Sequence, residues 1–160
     1  MGLDQYLEAR RFVSGYSHSK DDEQNMYKGL LEVVGLTEAA DERFLTVSVN
    51  VAYWRKANHI HNWFVANVQD GVDDCKSYWV SRDKLMELEA LCRRVVATQD
   101  PEFSKENLPT GAGFFFGSED YDEYYYENTE WTAKRLAHIL AEIPDKSDMT
   151  GVEFYYSSSW

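Results

Sequence analysis

Residues 43–68 read RFLTVSVNVAYWRKANHIHNWFVANV, and within them the spacing of hydrophobic residues changes from every second position to every third or fourth. In residues 44–52 valines alternate with polar side chains, which is typical of a half-buried strand. From Tyr53 onward the spacing is helical, and no glycine or proline separates the two patterns. We therefore predict a strand that runs directly into an amphipathic helix. The apolar stripe of that helix would consist of Tyr53, Ala57, Ile60, His61, Phe64 and Val68.

Strand-like and helix-like segments alternate through the rest of the chain. We expect strands at residues 2–13, 76–80 and 152–156 and a brief apolar strand at 114–116. We expect one helix capped by Asp21 or Asp22 and ending at Val34, one capped by Ser81 and running through Val95, and one that runs through Ile143 and ends at Pro144. No internal repeat or linker interrupts this order, so residues 1–160 should form one domain. The order predicts an α+β fold, with a small mixed or mostly antiparallel sheet of about five strands covered by about four helices.

The first predicted strand has two different faces. Leu3, Gln5, Leu7 and Ala9 point one way, whereas Asp4, Tyr6, Glu8 and Arg10 point the other. This alternation indicates a strand with one face toward a core and one toward solvent.

Charge and cysteine content limit the classes of function. The formal net charge is −12, which argues against direct binding to nucleic acid or to an anionic membrane surface, because phosphates attract Lys and Arg. Cys75 and Cys92 form no Cys-x-x-Cys pair, so the sequence gives no indication of a zinc site or a disulfide framework. No apolar segment approaches the ~18 residues of a membrane span. We expect a cytoplasmic protein without a cofactor.

Aromatic residues are abundant. They make up 15% of the chain, with 5 Trp, 11 Tyr and 8 Phe. One interpretation is a core built on rings, each of which buries a large area. The other is a surface with exposed Tyr and Trp, which are enriched where proteins bind one another. The sequence leaves both open.

The densest group of potentially chemical side chains lies at the predicted strand–helix junction. Arg55 and Lys56 would open the helix, where cations oppose the helix dipole at a cost of up to ~1 kcal/mol. A bound anion would offset that cost, because free N–H groups and both cations converge on it. Alternatively, Arg55 pairs with one of the protein's own carboxylates. The predicted ligand-binding residues are Tyr53, Trp54, Arg55, Lys56, Asn58 and His61.

The histidines suggest a base but no metal site. His61 falls on the apolar stripe, so it is either a hydrogen-bonded core residue or a general base beside Arg55. His59 shares its helix face with Arg55 and is expected to face solvent. Two histidines two positions apart point to nearly opposite sides of a helix, so they do not form a helical metal pair. Metal ligands are therefore not predicted.

Residues 118–130 contain six carboxylates and no basic residue. As a helix of ~20 Å they would carry one charge per ~3.3 Å, about half the line density of duplex DNA at one per ~1.7 Å. This pattern predicts either a solvated acidic helix face or the surface of a DNA-mimicking inhibitor. The residues assigned to that acidic interaction face are Glu119, Asp120, Asp122 and Glu123.

Several segments together resemble a family of small uncharacterised proteins encoded by bacteriophages and prophages. They are the Met-Gly-Leu-Asp start, the Tyr-Trp-Arg-Lys-Ala-Asn core motif at 53–58, Gly-Phe-Phe-Phe-Gly at 113–117 and the final Phe-Tyr-Tyr-Ser-Ser-Ser-Trp. The resemblance spans nearly the whole chain. It implies a phage accessory protein in the cytoplasm of a bacterial host, and such proteins often counter host defences.

These observations give one expected function and two alternatives. We expect a phage accessory protein that acts by stoichiometric binding, either antagonising a host defence factor or sequestering a nucleotide or other anionic ligand. The first alternative is a small enzyme for a phosphorylated or nucleotide substrate, with His61 as base and Arg55 stabilising developing charge. The second is an acidic DNA mimic acting through residues 118–130.

Overall fold

The computed structural model describes residues 2–38, 40, 43–113, 116–143 and 151–160. Over these residues the order of elements is β1 (Asp4–Ser14), α1 (Asp21–Val34), β2 (Phe44–Arg55), α2 (Asn58–Asn67), β3 (Tyr78–Val80), α3 (Arg82–Thr98), α4 (Pro101–Asn107), α5 (Glu123–Glu142) and β4 (Val152–Ser159). The four strands form one sheet in the order β2-β1-β4-β3, and every neighbouring pair is antiparallel. The predicted α+β class is therefore confirmed.

The number of strands differs slightly from the expectation. Of the apolar strand expected at residues 114–116, Phe114 and Phe115 lie outside the described residues, and Phe116 lies in a bend. The strand expected at residues 76–80 is shorter and covers only Tyr78–Val80. A sheet of four strands rather than five results.

Strand β1 is central and has the two faces that its sequence predicts. Leu3, Gln5, Leu7 and Ala9 are buried, and they lie on what we call the covered face of the sheet. This face packs against α2, α3 and α5 in one core that includes Trp54, Phe64, Leu85, Leu88, Leu136 and Tyr156. The opposite face of the sheet, the open face, carries the alternate residues of each strand.

Strand β2 continues past the predicted helix start, which is a correction. Trp54 pairs with Gln5 and Arg55 with Asp4, and the helix begins only at Asn58. Between them Lys56 has φ of 57°, and its N–H donates to the Leu3 carbonyl. Tyrosine and tryptophan are good strand formers, so the two-residue alternation persists until the ladder with β1 ends.

Strand β2 also contains a β-bulge. The register with β1 shifts at Leu7/Glu8, where Leu7 pairs with Ala52 and Glu8 with Asn50. Val51 is thus the extra residue. Before the bulge β2 is exposed or half-exposed at every position, whereas after it Ala52 and Trp54 are buried.

Helix termini agree with the sequence at several positions. Gly35 ends α1 in the left-handed conformation, with φ of 71°. At the other end of α1 the N-cap residue is Lys20, and no side chain caps the helix. The prediction that Asp21 or Asp22 is the cap is therefore wrong. Ser81 caps α3 by accepting from the Lys84 N–H, and Leu85, Leu88, Leu91, Cys92 and Val95 are all buried. No described helix has the length and hydrophobicity needed to cross a membrane.

Candidate functional site

The six residues predicted to bind a ligand do not line one cleft. Tyr53 and Arg55 are exposed on the open face, because they alternate with the buried Trp54 along β2. Asn58 and His61 are buried on α2, at 1% and 0% exposure. The sheet therefore separates Tyr53 and Arg55 from the buried members of the group.

Two members of the group hold the fold together. The Trp54 indole Nε1–H donates to Thr132 Oγ1 on α5 at 2.8 Å. The Asn58 amide donates to the carbonyl oxygens of Phe116 and Ser118, and its Oδ1 accepts from the Gly111 N–H. Asn58 thus anchors Gly111, Phe116 and Ser118 near the start of α2, where the anion was expected.

The two cations have little room for a ligand beside them. Arg55 and Lys56 are exposed, and neither makes an ion pair with a residue in the described part of the chain. The hollow beside Lys56 has a volume of about 10 Å³, and Asp120 and Asp122 are among its lining residues. Such a volume holds about one water molecule, which is too small for a nucleotide.

His61 is the centre of a buried chain of hydrogen bonds. Its Nδ1 lies 2.8 Å from the Tyr156 hydroxyl, and its Nε2 lies 3.0 Å from Asp73 Oδ2. The Tyr156 hydroxyl donates to Gln5 Oε1 at 3.1 Å, and the Gln5 amide donates to the Ala57 carbonyl at 3.1 Å. This chain joins α2, β4 and β1 to the loop after α2.

The Tyr156 hydroxyl is the middle of this chain. Burial raises the pKa of Tyr156 well above its usual value, so its hydroxyl keeps the hydrogen that it donates to Gln5 Oε1. The Gln5 amide nitrogen donates to a carbonyl, which turns Oε1 toward Tyr156. Both ring nitrogens of His61 thus have polar partners within the protein.

His59 is buried rather than solvent-facing, so that prediction is wrong. It is 3% exposed, and its ring lies 4.3 Å from the Tyr125 ring on α5. Its Nε2 donates to Thr129 Oγ1 at 3.1 Å, since the Thr129 hydroxyl donates to the Tyr125 carbonyl. Burial lowers the pKa of His59 to about 3, so this histidine is neutral near pH 7.

The acidic segment is only partly helical. Helix α5 begins at Glu123, and Asp122 is its N-cap, accepting from the Tyr125 N–H. Residues 118–130 are therefore not one continuous helix, and the charge density calculated for such a helix does not apply. Glu119, Asp120, Asp122 and Glu123 are nevertheless all exposed.

An exposed aromatic surface lies on the open face of the sheet. Its rings alternate along the strands with core residues and belong to Tyr6, Phe12, Phe44, Tyr53, Trp79 and Tyr155. Four of them are largely accessible: Phe12 at 51%, Phe44 at 42%, Tyr53 at 46% and Trp79 at 51%. We call this set the aromatic face.

The rings of the aromatic face contact one another in pairs. Tyr6 and Tyr53 lie 5.4 Å apart between centroids, and Phe12 stacks on Phe44 at 5.3 Å. The Arg10 guanidinium lies 4.1 Å above the Tyr155 ring. Aromatic pairs of this kind are stabilised by about 0.5–1.5 kcal/mol beyond the area they bury, which fixes the shape of the surface.

Polar groups on the open face bond mainly to one another. The Tyr53 hydroxyl donates to Asp4, and Glu8 accepts from Arg10 at 2.8 Å and from Ser48 at 2.8 Å. The hydrogen bonds of Ser48 and Arg10 lower the pKa of Glu8. Because these groups are already paired, covering them with a partner costs less than burying free charges.

The sequence contained part of the signal for this surface. The alternation in residues 2–13 correctly placed Asp4, Tyr6, Glu8 and Arg10 opposite the core. It did not identify Phe12 at the end of the same strand, or Phe44, Trp79 and Tyr155. The last three come from three other strands, and only the strand order brings them onto the same face as β1.

No group of three or more metal-ligating side chains occurs among the residues that the structure describes. Comparison with models of known protein families, with curated proteins and with solved structures finds no match. Function is therefore argued from the surface itself.

Proposed function

We propose that this protein acts by stoichiometric binding to another protein, which it contacts through the aromatic face. The observation that carries the proposal is the presence of Phe12, Phe44, Tyr53 and Trp79 on one open sheet face, each 42–51% exposed. Aromatic residues are concentrated at the energetic centres of protein interfaces. An exposed apolar group of this kind usually marks an interaction site.

The partner that we propose is a defence factor of a bacterial host. Support for this partner comes from the resemblance of the sequence to phage-encoded proteins. A nucleotide or other small anion is a weaker candidate, since the hollow beside Lys56 is about 10 Å³ and Asp120 and Asp122 help to line it.

The enzymatic alternative has less support. A general base must reach the proton that it abstracts, yet His61 has no exposed surface, and both of its ring nitrogens already have partners. Arg55 lies on the exposed side of β2 and is not a hydrogen-bond partner of His61 in the described chain. These two residues do not form an acid–base pair around a common cleft.

The DNA-mimic alternative keeps one supporting observation, which is the exposure of Glu119, Asp120, Asp122 and Glu123. It predicts binding to a basic nucleic-acid enzyme that weakens steeply with salt. Replacing these four carboxylates with amides would abolish such binding. Binding through the aromatic face would change little under the same substitution.

The test is affinity capture from a bacterial lysate with the tagged protein as bait, followed by titration of the captured protein. We expect a complex of fixed stoichiometry that is lost in the double variant Phe12→Ser and Trp79→Ser. The matched control is Met86→Ser on α3, which removes a side chain that is 44% exposed away from the sheet. A complex that survives the double variant, or turnover of a substrate without such a complex, would overturn the proposal.

A further inference from the structure

The first half of β2, residues 44–50, lies at the edge of the sheet and has an unusual composition. Residues 44–50 read Phe-Leu-Thr-Val-Ser-Val-Asn and contain no charged residue and no proline. Strand β2 pairs only with β1 in the described chain, at one end of the sheet. Natural proteins usually protect such edges with charges, proline or a covering element, because the free N–H and C=O groups can pair with another strand.

We propose that this edge pairs with the same edge of a second copy of the chain. The two copies of residues 44–50 would run antiparallel about a two-fold axis. One sheet of eight strands, four from each copy, would result. The proposal goes beyond the proposed function, since it concerns an edge of the sheet and leaves the aromatic face accessible.

At this edge two copies of the chain can meet without like charges opposed. Each chain carries a net charge of −12, so two copies repel one another over most of their surfaces. Residues 44–50 lack charge, and in an antiparallel pair centred near Val47 no charged side chain lies opposite another within this segment. Like charges directly opposite would destabilise the pair.

The structure sets the length of the pairing segment. At its far end Val51 is the bulged residue, and its carbonyl accepts from Arg135 Nε on α5 at 2.6 Å. That carbonyl is thus engaged by the protein itself. Seven residues remain, which extend over roughly 23 Å at ~3.3 Å per residue.

Side chains on the covered face give the contact a specific register. Val47 and Val49 line a groove of about 240 Å³ whose opposite wall includes Ile139 and Ile143, and Val49 is 55% exposed. Directly opposed residues of an antiparallel pair point to the same face. Pairing that places Val49 opposite Leu45 of the second copy would therefore extend this apolar groove across the two-fold axis.

The first test is the mass of the protein in solution by sedimentation and light scattering, from about 1 µM to about 500 µM, which covers micromolar to submillimolar dissociation constants. At the highest protein concentration we expect a species with twice the chain mass of 18.6 kDa. Val49→Lys, which would place an ammonium group against Leu45 of the second copy, should shift the dissociation constant upward by about tenfold or more. Met86→Lys adds the same charge on α3 and should leave assembly unchanged.

A cysteine scan over residues 45–50, in a Cys75→Ser background, tests the geometry. Oxidation should crosslink two copies only at positions near the two-fold axis. Unchanged far-UV circular dichroism would show that each variant is folded. A wild-type protein that is monomeric at about 500 µM, or a dimer that Val49→Lys leaves intact and that crosslinks nowhere in this segment, would overturn the proposal. A dimer lost in Phe12→Ser instead would place the contact on the aromatic face.

Discussion

The two faces of the sheet both carry aromatic rings, but the rings differ in what they contact. On the covered face Trp54 donates to Thr132 and Tyr156 stacks on Phe64 with centroids 3.9 Å apart. On the open face Trp79 and Phe12 are each 51% exposed. Rings on the covered face therefore stabilise the fold, whereas rings on the open face are available to a partner. The many aromatic residues of the sequence are therefore divided between the core and the exposed face of the sheet.

The largest expected contrast is between two consecutive residues of β2. Trp54→Ala should lower the free energy of unfolding by about 3–5 kcal/mol, because it removes a buried ring and its hydrogen bond. Tyr53→Ala should cost only about 1–2 kcal/mol, since it removes a half-exposed ring and its contact with Tyr6. Urea denaturation measures both. Equal losses would contradict the distinction between the faces.

Acid should weaken the helical layer through His59. Its pKa falls from 6.5 to about 3 on burial, so as the pH drops below about 6.5 the unfolded chain binds a proton that the folded chain excludes. The stabilising contribution is complete above that pH and decreases by about 1.4 kcal/mol per pH unit below it, or about 2 kcal/mol by pH 5. His59→Gln should flatten this dependence. His138→Gln on the exposed side of α5 should retain it.

Asp73→Asn should cost about 1.5 kcal/mol, because an amide nitrogen cannot accept from a donor. Asp73 accepts from both His61 Nε2 and Trp160 Nε1, so one of these donors would lose its partner. The matched control is Asp70→Asn in the same loop. Urea denaturation of both variants measures the difference. An equal loss of stability in Asp73→Asn and Asp70→Asn would contradict a structural role for the hydrogen bonds of Asp73.

The smallest effect on stability is expected on the open face itself. Trp79→Ser should change the free energy of unfolding by less than about 0.5 kcal/mol. The same substitution should weaken partner binding by at least about 2 kcal/mol if Trp79 lies at the centre of the interface. A thermal melt and a binding titration on the same sample separate the two quantities. A large loss of stability would assign Trp79 to the fold.

The parts of the fold that the sequence predicted depend on local periodicity. The two faces of β1 follow from alternation at every second residue, and the buried stripe of α3 follows from helical spacing at every third or fourth residue. The start of α2 was misplaced because Tyr53, Trp54 and Arg55 are compatible with either structure, and only pairing with β1 extends the strand.

The parts that could not be predicted depend on contacts between distant segments. His59 is buried because Thr129 and Tyr125, about seventy residues away, lie against it. The rings of the aromatic face are likewise brought together by strand order, which periodicity does not specify. Sequence alone could therefore supply candidate residues but not decide which of them remain accessible.

The position of β4 has a consequence for biosynthesis. The last strand in sequence lies between β1 and β3, so until it emerges from the ribosome β1 has a vacant side and β3 has no neighbour. Tyr156, which closes the hydrogen-bond chain through His61, arrives at the same time. The described sheet can therefore close only after residues 152–159 have emerged. This delay is the period in which the growing polypeptide most needs protection from aggregation.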